Sequence, residues 1–231
     1  MKTRHSFWAS ALALLLLVPL MSACTASGQA SVPPGCDQAS SPCLSGKALV
    51  RINTDRGAVT LELNGDAAPL TAGNFADLVK RGVYDGTVFH RVVREPVPFV
   101  VQGGDPASKD PATPRSAYGT GSFIDPDKGQ ARYIPLEVKF THENQPRYGR
   151  VTSNPSDLLR IQLPHDRGAL AMARSQAPDS ASAQFYIALK PLPELDGRYA
   201  VFGRVIEGME VVDSIQADDR IISADLITTN P

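Results

Sequence analysis

FHRVVREPVPFVVQGGD, residues 89–105, sets two short apolar runs on either side of a proline-bearing loop. Alternation in the first run predicts a strand with Val88, His90 and Val92 on one face and Phe89, Arg91 and Val93 on the other. Pro96 and Pro98 interrupt it. A second strand is expected from Phe99 to Gln102, stopping at the turn Gly103-Gly104-Asp105. A guanidinium is seldom buried without a partner, so Arg91 beside an apolar run needs a reason, whether a surface salt bridge or a ligand.

On the N-terminal side, Ala48, Val50 and Ile52 alternate with Leu49, Arg51 and Asn53, and Thr54-Asp55-Arg56-Gly57 turns the chain. Val59, Leu61 and Leu63 then share one face, which makes a hairpin with one wet side. Pro69 and Thr71 mark a helix start, Phe75, Leu78 and Val79 fall at helical spacing, and Arg81-Gly82 reads as its end. On the C-terminal side, residues 106–167 are irregular, with one strand expected at Tyr133–Phe140. Tyr118-Gly119-Thr120-Gly121 lacks the Lys-Ser/Thr and the strand–loop–helix setting of a phosphate loop. Arg167–Arg174 leads through a polar loop to Ser182–Ile187, Leu195–Tyr199 reads as a turn and Ala200–Val205 as another strand, then come a helix through Glu207 to Ile215 and a last strand at Ile221–Ile227. Many short strands with two short helices indicate a mainly β chain, a closed antiparallel barrel capped at its ends. In the strand around Gln184, the period of two sends Phe185 and Ile187 to the core and Gln184 and Tyr186 to the opposite face.

The 231 residues are 42% hydrophobic and 20% charged with a net charge of −1, which fits one globular domain with short appendages. A near-neutral chain without basic runs is not expected to bind nucleic acid. Residues 1–23 read as a signal segment, with Lys2, Arg4 and His5 before the apolar run Phe7–Leu20. Met21-Ser22-Ala23-Cys24 resembles a bacterial lipobox, which implies cleavage before Cys24, lipid attachment there, and an extracytoplasmic domain anchored to a membrane. Residues 24–46, rich in Ser, Ala, Gly and Pro, read as a flexible tether, and 47–231 as the domain. Cys36 and Cys43 remain, either as a disulfide permitted outside the cytoplasm or as two free thiols. Neither has metal-ligand spacing, and no metal site is expected.

Four blocks in order, FHRV, QGGD, ALAMAR with SAQFYI, and LDGRYAVFGRV-EGM, resemble the cyclophilins, the peptidyl-prolyl cis/trans isomerases, over about residues 47–229. The resemblance implies an eight-stranded barrel and rotation about Xaa-Pro amides without a cofactor, on proline-containing polypeptides, by a monomer that assists extracytoplasmic folding. It implies a catalytic set of Arg91, Gln102 and His90, in which Gln102 positions Arg91 through its side-chain carbonyl and His90 lines the groove or serves as a structural residue. Phe99, Val100, Tyr186 and Leu195 would form the proline pocket, with Ala173, Arg174, Gln184 and Tyr199 along the groove and the Gly119-Thr120-Gly121 loop at its border. The chain departs from the commonest pattern by about three extra residues around Arg94–Pro98, by Val100 for Met, Tyr186 for Phe and Tyr199 for His. Glu194 stands where members that bind cyclosporin tightly have Trp, which implies weak inhibition by that compound. These changes keep a second reading open, a cyclophilin-fold peptide-binding module or chaperone with little catalysis.

Overall fold

The computed structural model describes residues 35–36 and 42–227, so the expected signal segment and Cys24 lie outside the described residues. The chain opens with the expected hairpin, β1 (Lys47–Thr54) and β2 (Gly57–Asn64), followed by α1 (Pro69–Lys80). β3 (Arg91–Val92) and β4 (Val100–Gly103) come from the FHRV–QGGD stretch. The long middle region holds two 3-10 turns (Pro106–Lys109 and Arg115–Ala117), β5 (Ile124–Asp125), β6 (Gln130–Ala131), β7 (Glu137–Val138), β8 (Arg147–Tyr148) and a short α-helical turn, α2 (Pro155–Leu158). β9 (Ala169–Met172), β10 (Phe185–Ala188), β11 (Val201–Glu207), α3 (Met209–Ser214) and β12 (Ile221–Ile227) complete the order.

Eight strands form one curled sheet in the order β12-β1-β2-β11-β9-β10-β4-β3, and every neighbouring pair is antiparallel. Its end strands are β12 and β3, and an isolated bridge between Val88 and Arg220 joins the chain beside them. The concave side packs around Phe75 of α1, whose ring lies 5.4 Å from Phe185 at 89° and 5.1 Å from Phe202. All three rings are fully buried. Burial of each contributes roughly 2–3 kcal/mol before entropy is counted.

Two sequence expectations need correction. Residues 88–90 are outside the ladder, so the alternation predicted for them fails: Phe89 is in the core, with its N–H donated to Asp219 and its carbonyl accepting from Asp218. The run Tyr133–Phe140 is not one strand. Pro135 has no N–H to give a ladder, and the segment meets three partners in turn, with bridges Ile134–Ala181 and Phe140–Ile161 around the β7–β8 pair.

Residues 42–46, counted to the tether in the sequence, are held on the domain. Leu44 donates its N–H to Pro69 O at 2.9 Å, and Cys36 and Leu44 pack against the main core. Cys36 and Cys43 form a disulfide with Cα atoms 5.6 Å apart, so they are not free thiols. The fit requires Gly73 on α1, where a Cβ would overlap the Pro42 carbonyl oxygen.

Helix α1 has no cap of its own, since its N-cap is Ala68. Glu137 of β7 replaces one from 66 and 67 residues away, its carboxylate accepting the N–H of Thr71 at 2.7 Å and of Leu70 at 3.2 Å. Tyr148 donates its hydroxyl to the same carboxylate at 2.9 Å. Burial raises the Glu137 pKa, and the donated hydrogen bonds oppose that shift. Glu137→Ala strands two backbone donors at a buried helix end. It is expected to lower stability by about 2–4 kcal/mol in urea unfolding; a loss near zero would mean that the helix start does not depend on this carboxylate.

Candidate active site

The site is a row of residues across the convex side of the sheet. Val201, Ala171, Tyr186, Gln102 and Arg91 are successive cross-strand partners on β11, β9, β10, β4 and β3. Direct partners point to the same side, so the register alone places the Arg91 and Gln102 side chains beside the Tyr186 ring. The alternate residues Met172, Phe185, Ile187 and Val101 all enter the main core. A second apolar cluster under the row holds Val100, Ala171, Tyr186, Ala188, Leu192 and Val201, with Phe99, Leu195 and Tyr199 packed against it.

Together they make an open groove of ≈ 220 Å³. Arg91, Phe99, Val100, Gln102, Ala173, Arg174, Tyr186, Leu195 and Tyr199 all line it. Nine of the residues that the resemblance named therefore meet in one place. Phe99, Leu195 and Tyr199 are half-buried, while Val100 and Tyr186 are buried beneath them. The Arg91 guanidinium lies 5.7 Å from the centroid of the Phe99 ring and, among the described residues, enters no salt bridge. It is exposed, charged and aimed along an apolar floor. The three-residue excess at Arg94–Pro98 does not displace Phe99, because Val93 and Val100, and Phe99 and Val93, are joined by backbone bonds of 2.9 Å. Glu194 is exposed on the turn Pro193–Leu195 and does not line the groove.

Gln184 and His90 stand off this groove. Gln184 borders an adjoining hollow of ≈ 390 Å³ walled by Gly119–Ser122 and by Ser175 and Ser180. Gln102 donates Nε2–H to Gln184 Oε1 at 3.2 Å, and Gln184 donates to Gly121 O at 2.9 Å. The Gln102 carbonyl oxygen is thus the end of that amide left for Arg91, its partner across β3–β4. The His90 ring rests against Gly119. Its nitrogens are buried without a hydrogen bond of ordinary geometry among the described residues.

Sequence reasoning missed three supports of the site. Asp105, the last residue of QGGD, is fully buried; its carboxylate accepts the N–H of Ala107 at 2.9 Å, Gly119 at 2.6 Å and Gly121 at 3.2 Å. The motif's aspartate therefore holds the Gly119-Thr120-Gly121 loop. Gly104, at φ 81°, allows the turn that delivers it. Arg174 is a staple as well as a wall: it donates to the carbonyls of Arg198, Ser175 and Gln176 and stacks 4.6 Å from the Tyr199 ring centroid. His165, buried behind Tyr186, bonds to both Tyr186 and Asp196. An Asp closing an apolar strand–turn motif was a usable signal for Asp105. His165 had none, since its partners are 21 and 31 residues away.

Residues 49–229 match the family model described as cyclophilin type peptidyl-prolyl cis-trans isomerase/CLD. A Synechocystis protein named as a thylakoid lumen peptidyl-prolyl cis-trans isomerase is 36% identical over 197 residues, covering 81% of this chain and 48% of that protein. An Arabidopsis thaliana peptidyl-prolyl cis-trans isomerase is 32% identical over 173 residues, covering 74% of this chain and 83% of its own. The chain spans about half the length of the first of these relatives. Among solved structures, a Cryptosporidium parvum cyclophilin type peptidyl-prolyl cis-trans isomerase aligns with a TM-score of 0.58 at 26% identity, over 80% of this chain and 99% of that one. The same C. parvum protein has been solved in the presence of the dipeptide Ala-Pro, and that structure aligns with a TM-score of 0.57. The chain belongs to the cyclophilin family, and its mainly β sheet is the cyclophilin fold.

Burial lowers the His90 pKa from the ordinary value of 6.5, partly opposed by the Asp105 carboxylate and the Val88 backbone. Between that lowered value and 6.5 the unfolded chain binds a proton that the folded chain does not, so this contribution is present above 6.5 and is lost as pH falls through the folded value. Stability measured from pH 7 to 5 should decline less in His90→Asn than in the wild type. Parallel curves would show that His90 is not a source of the acid sensitivity.

Proposed function

We propose that the protein is a peptidyl-prolyl cis/trans isomerase acting without a cofactor on proline-containing polypeptides. The observation that carries this reading is the convergence of Arg91, Gln102, Phe99, Val100, Tyr186 and Leu195 on one groove, with the guanidinium at the edge of an apolar floor. The reaction breaks no covalent bond. Its barrier of about 20 kcal/mol comes from amide resonance, and a gain of four to five decades needs ~6 kcal/mol. The apolar floor grips the pyrrolidine ring. As the C–N bond twists, the prolyl nitrogen regains a lone pair, which an Arg91 N–H meets, while the other arm of the fork holds a substrate carbonyl. Gln102 orients the fork. His90 takes a supporting place behind the Gly119 loop rather than a reacting one.

The reading extends to the whole chain. We take residues 1–23 as a lipoprotein signal, Cys24 as the lipid attachment site and the domain as an extracytoplasmic folding assistant on the periplasmic face of a bacterial membrane, acting as a monomer. Support comes from the Cys36–Cys43 disulfide, which suits an oxidising compartment, and from the lumenal name of the Synechocystis relative. The Val88–Arg220 bridge supports reading the curled sheet as a closed barrel.

Exchange NMR on a short Ala-Pro peptide tests the activity. The wild-type chain is expected to speed cis/trans exchange, and Arg91→Ala to lower kcat/KM about 100-fold or more with the fold intact. Peptide binding with no faster exchange in the wild type would leave a peptide-binding module instead.

A further inference from the structure

Tyr186 lies on the groove, yet its hydroxyl faces away from it. The hydroxyl oxygen is 2.9 Å from Nε2 of His165, a residue 2% exposed that does not line the groove. The two rings are nearly parallel, at 13° with centroids 6.0 Å apart. On its other side, His165 Nδ1 is 2.8 Å from Asp196 Oδ1, which also accepts the His165 backbone N–H at 2.8 Å. The Asp196 carboxyl faces Nδ1 and the tyrosine hydroxyl faces Nε2; in the tautomer with its proton on Nδ1, the Nε2 lone pair accepts from the hydroxyl. Burial pushes the Tyr186 pKa well above 10, which keeps that hydroxyl protonated and able to donate.

The chain of bonds joins three separate segments. His165 ends the long middle region, Tyr186 belongs to β10, and Asp196 follows the turn that carries Leu195. The His165 carbonyl also accepts from Leu192 N–H at 2.8 Å, and Leu195 N–H donates to Leu192 O at 2.9 Å. Tyr199 packs edge-on to Tyr186, 5.9 Å between centroids. Two walls of the groove are thus tied to His165, whose ring bonds Tyr186 and Asp196 and whose backbone carbonyl holds the turn that carries Leu195.

We infer that His165 is a positioning residue for the proline pocket, holding the Tyr186 ring through its hydroxyl and held in turn by Asp196. The inference rests on the isomerase reading of the groove. It explains why a tyrosine serves as a floor that needs only an apolar face: the hydroxyl is a tether that sets the ring's height and tilt. A mispositioned floor weakens the grip on proline in ground and transition states alike, so the effect falls on KM more than on kcat.

A double-mutant cycle in the full chain tests this, read by exchange NMR and by titration of the same Ala-Pro peptide. His165→Leu is expected to lower kcat/KM about tenfold, mostly through KM. With Tyr186 already changed to Phe, the same substitution should cost less than about twofold, because the tether is gone. His165→Gln, whose Oε1 can accept the hydroxyl proton, should recover most of the loss. Equal losses in both backgrounds would overturn the inference. In the folded wild-type chain, the Tyr186 hydroxyl proton should exchange slowly with water and show contacts to the His165 ring. A hydroxyl proton exchanging as fast as that of Tyr199 would contradict it even if His165→Leu does not fold. If the wild type binds the peptide without speeding exchange, the isomerase reading fails on its own, and the cycle is then read on Kd with the same expected pattern.

Discussion

Between β9 and β4 the four residues of β10 are buried on both faces, and the two-residue period of a strand divides their duties. Phe185 and Ile187 complete the core around Phe75, while Tyr186 opens onto the groove. The core and the site are two sides of the same backbone. A register slip of one residue would send Phe185 outward and bury the polar row, losing core packing and site together. Pairing therefore places Arg91 opposite Gln102 and Gln102 opposite Tyr186 without any bond between the side chains of Arg91 and Tyr186 being required.

What the sheet cannot supply, loops supply under polar restraint. The Gly119-Thr120-Gly121 loop hangs on the buried Asp105 carboxylate, and the 174–180 wall on the Arg174 guanidinium. The turn bearing Leu195 hangs on Asp196 and His165. Asp105 and Arg174 bind backbone groups, while the His165 ring bonds Asp196 and the Tyr186 hydroxyl. Such anchors order a loop at little cost in side-chain freedom, and they leave the groove itself apolar apart from Arg91, Gln102 and the Arg174 edge. In the adjoining hollow, the Gln102–Gln184–Gly121 relay links the candidate catalytic row to the loop held by Asp105.

The hairpin β1–β2, helix α1, the inward and outward sides of β10 and the nine groove residues were legible in the sequence, because each rests on local period or on a contiguous motif. Phe89 was misassigned because the ladder holds only Arg91 and Val92, and hydrogen bonds to Asp218 and Asp219 override the alternation before them. Tyr133–Phe140 was misjudged because an apolar run does not reveal that its partners change every two or three residues. His165 and Glu137 were invisible for a related reason. Both act across long sequence separations on a hydroxyl or on backbone N–H groups, and neither kind of contact leaves a period or spacing to read.

The central claim is that the floor made by Phe99, Tyr186 and Leu195 holds a proline ring beneath Arg91. Intermolecular NOEs from the ring protons of a bound Ala-Pro peptide test it most directly. The account predicts contacts to the side chains of Phe99, Tyr186 and Leu195. Proline contacts confined to the hollow beside Gly119–Ser122 would contradict it.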